Sequence, residues 1–285
     1  MEVLAHAKLN LSLDVLNRRP DGYHEMRMVM QTISLADTLT LTPGGEGVRV
    51  RTSLSYLPTD ARNLAAAAAR AFWVGTGRPE QGLEIAIEKV IPVCAGMAGG
   101  SADAAAVLRA LNEAAGTGLS RQALARLGEQ VGSDVPYCVL EGTALAEGRG
   151  EVLTPLPPLP PCHVVVCKPP FSVSTPELFG RLDCRRIRRR PDTEGLVAAL
   201  AAGDLEEVAR RVYNVFEDVL PERRAGVIAE IKGELLNHGA LGAAMSGTGP
   251  TVFGLFREQE QARQACRALS ESFRDVWTAV PVGRE

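Results

Sequence analysis

What this chain lacks narrows its function before any motif is considered. Its six cysteines, Cys94, Cys138, Cys162, Cys167, Cys184 and Cys266, contain no Cys-x-x-Cys pair, and only four histidines accompany them. A cysteine/histidine zinc module is therefore not expected, and no metal-ligating residue is assigned. Thiols this sparse in 285 residues are not a disulfide framework; they fit the reduced, buried thiols of a cytoplasmic protein. Strong charge of either sign is also missing. A net charge of −3 gives no field to attract nucleic acid or a membrane surface, so neither is expected as a partner. No apolar run is long enough to cross a bilayer. The first residues, MEVLAHAKLNLSLDV, already alternate like a strand, so no signal peptide is expected. Internal repeats are absent. The length suffices for a large core and two domains.

What is present is a glycine-rich turn between a strand and a helix. Leu83 to Val90 is apolar and strand-like; Ile91-Pro-Val-Cys-Ala-Gly-Met-Ala-Gly-Gly-Ser101 follows, and then an Ala-rich segment with helical periodicity. Gly96, Gly99 and Gly100 allow tight or positive-φ backbone and close approach of a ligand. Main-chain N–H groups at the positive end of a helix bind phosphate without any cationic side chain. The pattern is neither GxxxxGK[ST] nor GxGxxG, so a polyphosphate is expected on a different loop. A plain turn with no ligand is the competing reading of any short glycine cluster.

Period-two alternation over residues 3–16 puts Ala7, Leu9, Leu11, Leu13 and Val15 on one strand face. Lys8, Asn10, Ser12 and Asp14 take the other, away from the core. Arg19-Pro-Asp-Gly-Tyr23 carries turn chemistry. Strands are expected over 28–42 and 47–52, a helix over 63–74, a strand over 83–90 and a helix over 101–115. Ser120 is an N-cap for a helix to 131. The proline-dense 155–161 separates two halves as a linker or edge crossing. Beyond it come a strand at 163–168, helices near 193–202, 204–216 and 221–238, a strand at 251–256 and a helix over 258–273. Strands and helices mix without regular alternation, which gives α+β. The domains are placed at 1–154 and 155–285.

Few of these residues announce chemistry singly. Lys8 and Asn10 also fit a solvated strand face, and Asp134 in Val131-Gly-Ser-Asp-Val-Pro a turn or cap. Together with the glycine loop and Ser101 they match the short parts inventory of phosphoryl transfer: a phosphate cradle, Mg²⁺, a cation and a carboxylate at the acceptor hydroxyl. A lysine beside the aspartate would keep it ionised. A second Gly/Ser element, Leu241 to Gly254, contains Ser246, Gly247, Thr248 and Gly249 and points to a site built between two halves. Tyr23 and His24 fit either a structural loop or a base-recognition pair. The arginine run from Arg185 to Arg190, on an acidic protein, is expected to be a solvated loop.

With these residues in view, the chain resembles the kinase superfamily named for galactokinase, homoserine kinase, mevalonate kinase and phosphomevalonate kinase. Three motifs carry the likeness in order: Ala7-Lys8-Leu9-Asn10-Leu11; Pro92-x3-Gly96-Met97-Ala98-Gly99-Gly100-Ser101-Ala102-Asp103; and Met245-Ser246-Gly247-Thr248-Gly249-Pro250-Thr251. Arg19-Pro-Asp-Gly-Tyr23-His24-Glu25 and Gly132-Ser-Asp134-Val-Pro136 narrow it to a branch whose acceptor is a cytidine diphosphate-linked polyol. The resemblance implies a two-domain fold with an N-terminal part like ribosomal protein S5 domain 2, a ferredoxin-like C-terminal part and the site in a cleft. It implies ATP with Mg²⁺, a small-molecule substrate, and a monomer or homodimer. By motif, Asp134 is the implied base with Lys8 as its partner. Asn10, Tyr23, His24, Thr175 and Phe179 are the implied substrate contacts. Asn63, Lys89, Pro92, Gly96, Met97, Ala98, Gly99, Gly100, Ser101 and Ala102 are implied at ATP. Met97, Ala98 and Ala102 depart from the usual Leu, Gly and Ser.

Overall fold

The computed structural model describes every residue except Arg185, Arg186, Arg188 and Glu285. In chain order the elements are β1 (Glu2–Arg18), β2 (His24–Pro43), β3 (Val48–Thr52), α1 (Leu64–Thr76), β4 (Leu83–Glu88), α2 (Gly99–Ala114), α3 (Arg121–Glu129), α4 (Val135–Leu140), β5 (Thr143–Gly148) and β6 (Val152–Pro155). Then follow β7 (His163–Lys168), α5 (Thr175–Arg181), α6 (Thr193–Ala202), α7 (Leu205–Arg210), β8 (Tyr213–Asn214), a 3₁₀ turn (Val215–Val219), α8 (Glu222–Asn237), β9 (Gly242–Met245), β10 (Val252–Phe256), α9 (Gln259–Ser272) and β11 (Asp275–Ala279). The chain forms two compact units. Unit one comprises Met1–Ala7, Leu35–Val93 and Ala98–Glu141; unit two comprises Lys8–Ser34, Cys94–Met97 and Gly142–Glu285.

In unit one, β4 pairs antiparallel with the second half of β2 (Leu39 opposite Ile87) and parallel with β3 (Val50 opposite Ile85). These apolar pairs are buried, and α1 to α4 complete the unit. α2 is apolar on nearly every side from Ala102 to Leu111. A helix of that composition is stable only when covered all round, and its alanines let neighbouring helices approach closely. α1 begins at Asn63, whose side chain accepts the Ala65 amide, and ends at Gly77 in the left-handed region. Ser120 caps α3 in the same way, accepting from Ala123.

In unit two, β7, β9, β10 and β11 form an antiparallel sheet in the order β11-β7-β10-β9. With α8 between β7 and β9 and α9 between β10 and β11, this is the ferredoxin-like βαββαβ arrangement. Val166 opposes Phe253, which opposes Ala244, and Ile231 and Leu269 come from the two helices; all are buried. The unit also contains β5 against the first half of β2, β6 at the edge of β5, and β8 parallel to β1. Leu159 is buried and donates its amide to Thr143 Oγ1 at 3.1 Å, so the proline-dense segment packs onto this unit.

Two expectations fail for physical reasons. Lys8, Asn10, Ser12 and Asp14 do not face solvent; none is more than 5% exposed. Asn10 and Asp14 have work that a solvated residue lacks, whereas the buried Ser12 hydroxyl has no hydrogen-bond partner. Asn10 donates its amide to Ser246 Oγ and its Nδ2 to Met28 Sδ, and Asp14 Oδ1 accepts from Arg190 at 2.7 Å. The helix expected over 204–216 stops at Arg210. Tyr213 and Asn214 instead pair with Ser12 and Leu13 of β1.

Candidate active site

The two glycine-rich loops meet in unit two. Ser246 Oγ donates to the Gly96 carbonyl at 2.9 Å while accepting the Asn10 amide at 3.2 Å. The fit is close: a Cβ on Gly96, whose φ is +76°, would lie 2.1 Å from the Ser246 carbonyl oxygen. One on Gly247 would lie 2.9 Å from the Gly96 carbonyl oxygen. Asn214, buried in the short β8, donates from Nδ2 to the carbonyls of Met245 and Gly247, each at 2.7 Å. Thr248 Oγ1 and Thr175 Oγ1 are 2.9 Å apart. β1 supplies the floor. Lys8 donates its amide to the Met97 carbonyl at 3.2 Å and its Nζ to Asn10 Oδ1 at 2.6 Å. Lys8, Asn10, Gly96, Met97, Ser246, Gly247, Thr248 and Thr175 are thus joined by direct contacts. Gly249 begins the connection into β10 and has a φ of +78°.

The remainder of the first loop belongs to unit one. The helix starts at Gly99, so Ser101 lies inside its first turn. Gly99 and Gly100 do not adopt positive φ. Ala98 does, at φ +56°, ψ +30°, a left-handed residue just before the helix. Gly99 serves close approach instead: a Cβ there would meet Ile91 at 3.0 Å, whereas one on Gly100 would make ordinary van der Waals contact with Leu64 at 3.4 Å. Ala102 is buried, so its missing hydroxyl would not have faced solvent. Pro92 is half-buried. Ser101 Oγ lies 3.8 Å from where a Gly132 Cβ would be, which brings the first turn of α2 beside the Gly132-Ser133-Asp134 segment. Asp134 directly precedes α4 and accepts the Cys138 amide through its carbonyl at 3.0 Å.

Lys89 is not turned toward open solvent. Its Nζ donates to Asp37 Oδ2 at 2.5 Å and Asp103 Oδ2 at 2.8 Å, with all three side chains buried. Burial works against the ammonium, but Asp103 and Asp37 outweigh it and raise the Lys89 pKa. Burial pushes Asp103 up to about 7; Lys89 opposes this and Asp37 adds to it. Asn63 is occupied at both ends, holding the Ala65 amide and donating to the Pro58 carbonyl.

A second region of unit two is a cavity of 690 Å³ lined by Leu16, Asn17, Arg18, Gly22, His24, Pro176, Phe179, Gly180, Leu182, Asp183 and Cys184. His24 stacks on Phe179 with centroids 4.5 Å apart and planes at 23°, and Phe179 meets Phe216 edge-on at 5.0 Å. Burial, helped by Arg18, lowers the His24 pKa. Tyr23 stands apart from this stack. It is 57% exposed, with the Arg149 guanidinium 5.1 Å from its ring centroid. Asn214, Asp37, Arg18 and Phe216 gave no signal in the sequence. Of the arginine run, Arg189 lies over the Tyr213 ring and Arg190 pairs with Asp14; Arg185, Arg186 and Arg188 lie outside the described residues.

A kinase-type glycine loop, a polar first strand and a ferredoxin-like sheet define a two-domain α+β small-molecule kinase. Comparison with known proteins agrees. Residues 63–142 match the family model for the GHMP kinases N terminal domain, and residues 196–275 that for the GHMP kinases C terminal domain. A 4-diphosphocytidyl-2-C-methyl-D-erythritol kinase of Lachnoclostridium phytofermentans is 48% identical over 92% of this chain and 89% of its own length. One of Geobacillus thermodenitrificans is 46% identical over 94% and 92%. The crystal structure of a 4-(cytidine 5'-diphospho)-2C-methyl-D-erythritol kinase superposes with a TM-score of 0.84 at 35% identity, covering 99% of this chain and 100% of that one. The chain belongs to the GHMP kinases, in the family of the 4-diphosphocytidyl-2-C-methyl-D-erythritol kinases. It is an ATP-dependent kinase.

Proposed function

We propose that this enzyme transfers the γ-phosphoryl group of ATP to the 2-hydroxyl of 4-diphosphocytidyl-2-C-methyl-D-erythritol, a step in the non-mevalonate supply of isoprenoid precursors. The observation that carries the reading is 48% identity over 92% of the chain to a relative of that name. Asp134 takes the hydroxyl proton as general base. Lys8 neutralises charge on the transferred group, and Asn10, already bonded to Lys8 Nζ, orients the acceptor. Backbone amides from Gly96 to Ser101, together with Ser246 to Gly249, cradle the phosphates. The cytosine is taken by Tyr23, His24 and Phe179, with Thr175 beside them. The 690 Å³ cavity at His24 and Phe179 is large enough for a nucleoside.

Mg²⁺ enters with the nucleotide. Among the described residues no group of three or more His, Cys, Asp or Glu is placed to hold a metal. Mg²⁺ at nucleotides is usually carried mainly by phosphate oxygens and water. Ser101, in the first turn of α2, would be the side chain to accompany it. Residues 1–154 and 155–285 are assigned as the two domains. The family matches at 63–142 and 196–275 fall on either side of that division. No described helix is long and apolar enough to cross a membrane, and a cytoplasmic site of action is assigned from the sparse cysteines, which contain no Cys-x-x-Cys pair.

The test is ADP release from purified protein with Mg-ATP and a panel of alcohols. Turnover with the cytidyl substrate, and little with homoserine or mevalonate, is expected. Turnover of another alcohol instead would overturn the assignment.

A further inference from the structure

The buried group Asp37, Lys89 and Asp103 lies wholly in unit one. It joins the two ends of the glycine loop. At the entry, Asp37 Oδ1 accepts the amides of Val90 and Ile91 at 2.6 and 2.8 Å. Its other oxygen accepts Lys89 Nζ, which also donates to Asp103 Oδ2 in the first turns of α2. One chain of charge-assisted bonds therefore runs from β2, through the residues that lead into the loop, to the helix where the loop ends. A Cβ on Gly99 would lie 3.4 Å from Lys89 Nζ, so the ammonium sits directly beneath the first helical residue. Such bonds are short and directional, and once desolvated they resist displacement.

Three charges buried together add little net stability and are costly to leave incomplete. Asp103 Oδ1 is buried with no hydrogen-bond partner, a cost the molecule carries. A cluster that does not stabilise strongly yet fixes backbone on both sides of a loop is a positioning device. The loop amides bind phosphate only while their spacing is held, and displacement of about 1 Å is enough to lose about 10²-fold.

We propose that Asp37, Lys89 and Asp103 form a clamp that fixes the span of the phosphate-binding loop. Lys89 acts on ATP through this clamp rather than by touching phosphate. The inference rests on the phosphate-cradle reading above, but not on the identity of the acceptor. The two possible roles of Lys89 differ most sharply at Asp37. A lysine that contacts phosphate directly is freed when Asp37 loses its charge, and one negative charge near the nucleotide disappears, so ATP binding holds or tightens. A clamp loses its anchor, and ATP binding weakens.

The experiment is calorimetric titration with Mg-ATP and with adenosine, without acceptor, on the parent, Asp37→Asn, Lys89→Met and the double variant. We expect the ATP Kd to rise about 10- to 100-fold in each single variant. The double variant should be no worse than the weaker single, because the residues act as one unit. Adenosine affinity should stay within about threefold. In turnover, KM for ATP should rise more than kcat falls, and Lys89→Arg should restore part of the loss. Unchanged or tighter ATP binding by folded Asp37→Asn, or additive losses in the double variant, overturns the clamp. Should Lys89→Met not fold, the nearly isosteric Asp37→Asn decides alone. A parent that binds ATP but does not phosphorylate the cytidyl substrate would overturn the proposed acceptor and leave the clamp to these titrations.

Discussion

Ser246 Oγ donates a 2.9 Å hydrogen bond to the carbonyl of Gly96, 150 residues earlier in the chain. The same hydroxyl accepts the amide of Asn10, so one side chain ties both glycine loops to the first strand. Ser246 is fully buried, and its removal leaves a half-buried carbonyl and a buried amide without their partner. Ser246→Ala should therefore cost about 2–3 kcal/mol of stability, more than a surface hydroxyl. Gly96→Ala should cost at least as much, since its φ of +76° strains any Cβ and the carbonyl of Ser246 stands where the methyl would go. Both are read by urea unfolding. If Ser246→Ala were neutral, the link would contribute nothing to holding the loops together.

The left-handed Ala98 offers a change in the opposite direction. Left-handed backbone costs a non-glycine residue about 1–2 kcal/mol, part of which is regained as unfolded-state freedom when glycine replaces it. Ala98→Gly should thus stabilise the protein by about 0.5–1 kcal/mol, raising the melting temperature by about 1–4 °C. Differential scanning calorimetry checks this. A lowered Tm would mean that the methyl group packs well enough to outweigh the strain.

How far the sequence alone led is clear from particular residues. The strand at 163–168 and the helix at 193–202 lie where the pattern put them, because each carries its own periodicity and neighbouring turn chemistry. The glycine loop was legible for the same reason. The short β8 was not: two residues contain no period, and only pairing with Ser12 and Leu13 makes them a strand. α4, α5, β5 and β11 were likewise missed, being short segments that packing rather than local pattern defines. Alternation in β1 was read correctly, but not the burial of its polar face. What covers Asn10 is Ser246, which is remote in sequence. Asp37 has an ordinary place in an alternating strand, and nothing local marks it as the partner of Lys89.

Asp103 makes stability depend on pH near neutrality. Its carboxyl is raised to about 7, and the charged groups acting on it are Lys89 and Asp37. A carboxyl raised in the folded state contributes stability that is complete below its unfolded value, near 4, and is lost as pH rises through the folded value, near 7. Asp103→Asn cannot ionise. Relative to the parent, its melting temperature should therefore climb from pH 5 to about pH 7 and level off by pH 8. A constant difference across that range, measured in matched buffers, would place the ionisation elsewhere.

For the proposed chemistry, Asp134→Asn should lower kcat by about 10²–10⁴-fold while leaving ATP affinity within a few-fold. Lys8→Ala should lower it comparably. Lys8 Nζ is buried and bonded to Asn10 Oδ1, so its loss disturbs the acceptor-orienting residue as well as the charge balance. The double variant should fall well short of the product of the two effects, because residues that act as a unit do not add. Single-turnover kinetics at saturating ATP separates this from a binding defect. Retention of kcat within a few-fold in Asp134→Asn would remove it from the base role.

The acceptor site yields the prediction most open to failure. His24 and Phe179 already stack on each other, and Phe216 braces Phe179 from its edge. Phe179 is thus a supported platform, whereas Tyr23 is an exposed ring with Arg149 over it. Base–aromatic stacking is worth about 1–3 kcal/mol, or about 5- to 150-fold in affinity. Phe179→Ala should raise KM for the cytidyl substrate toward the upper end of that range and Tyr23→Ala toward the lower end, with KM for ATP unchanged in both. Burial and Arg18 hold His24 below its ordinary value, so it is neutral at pH 7 and can accept a hydrogen bond from the cytosine amino group. Protonation removes that acceptor. KM for the cytidyl substrate should therefore be flat from pH 8 down to about 6.5 and rise only below it, and His24→Gln should abolish that rise while keeping part of the preference for cytidine over uridine. If the acid-side rise persisted unchanged in His24→Gln, the titrating group would be another one, and His24 would be a packing partner of Phe179 rather than a reader of the base.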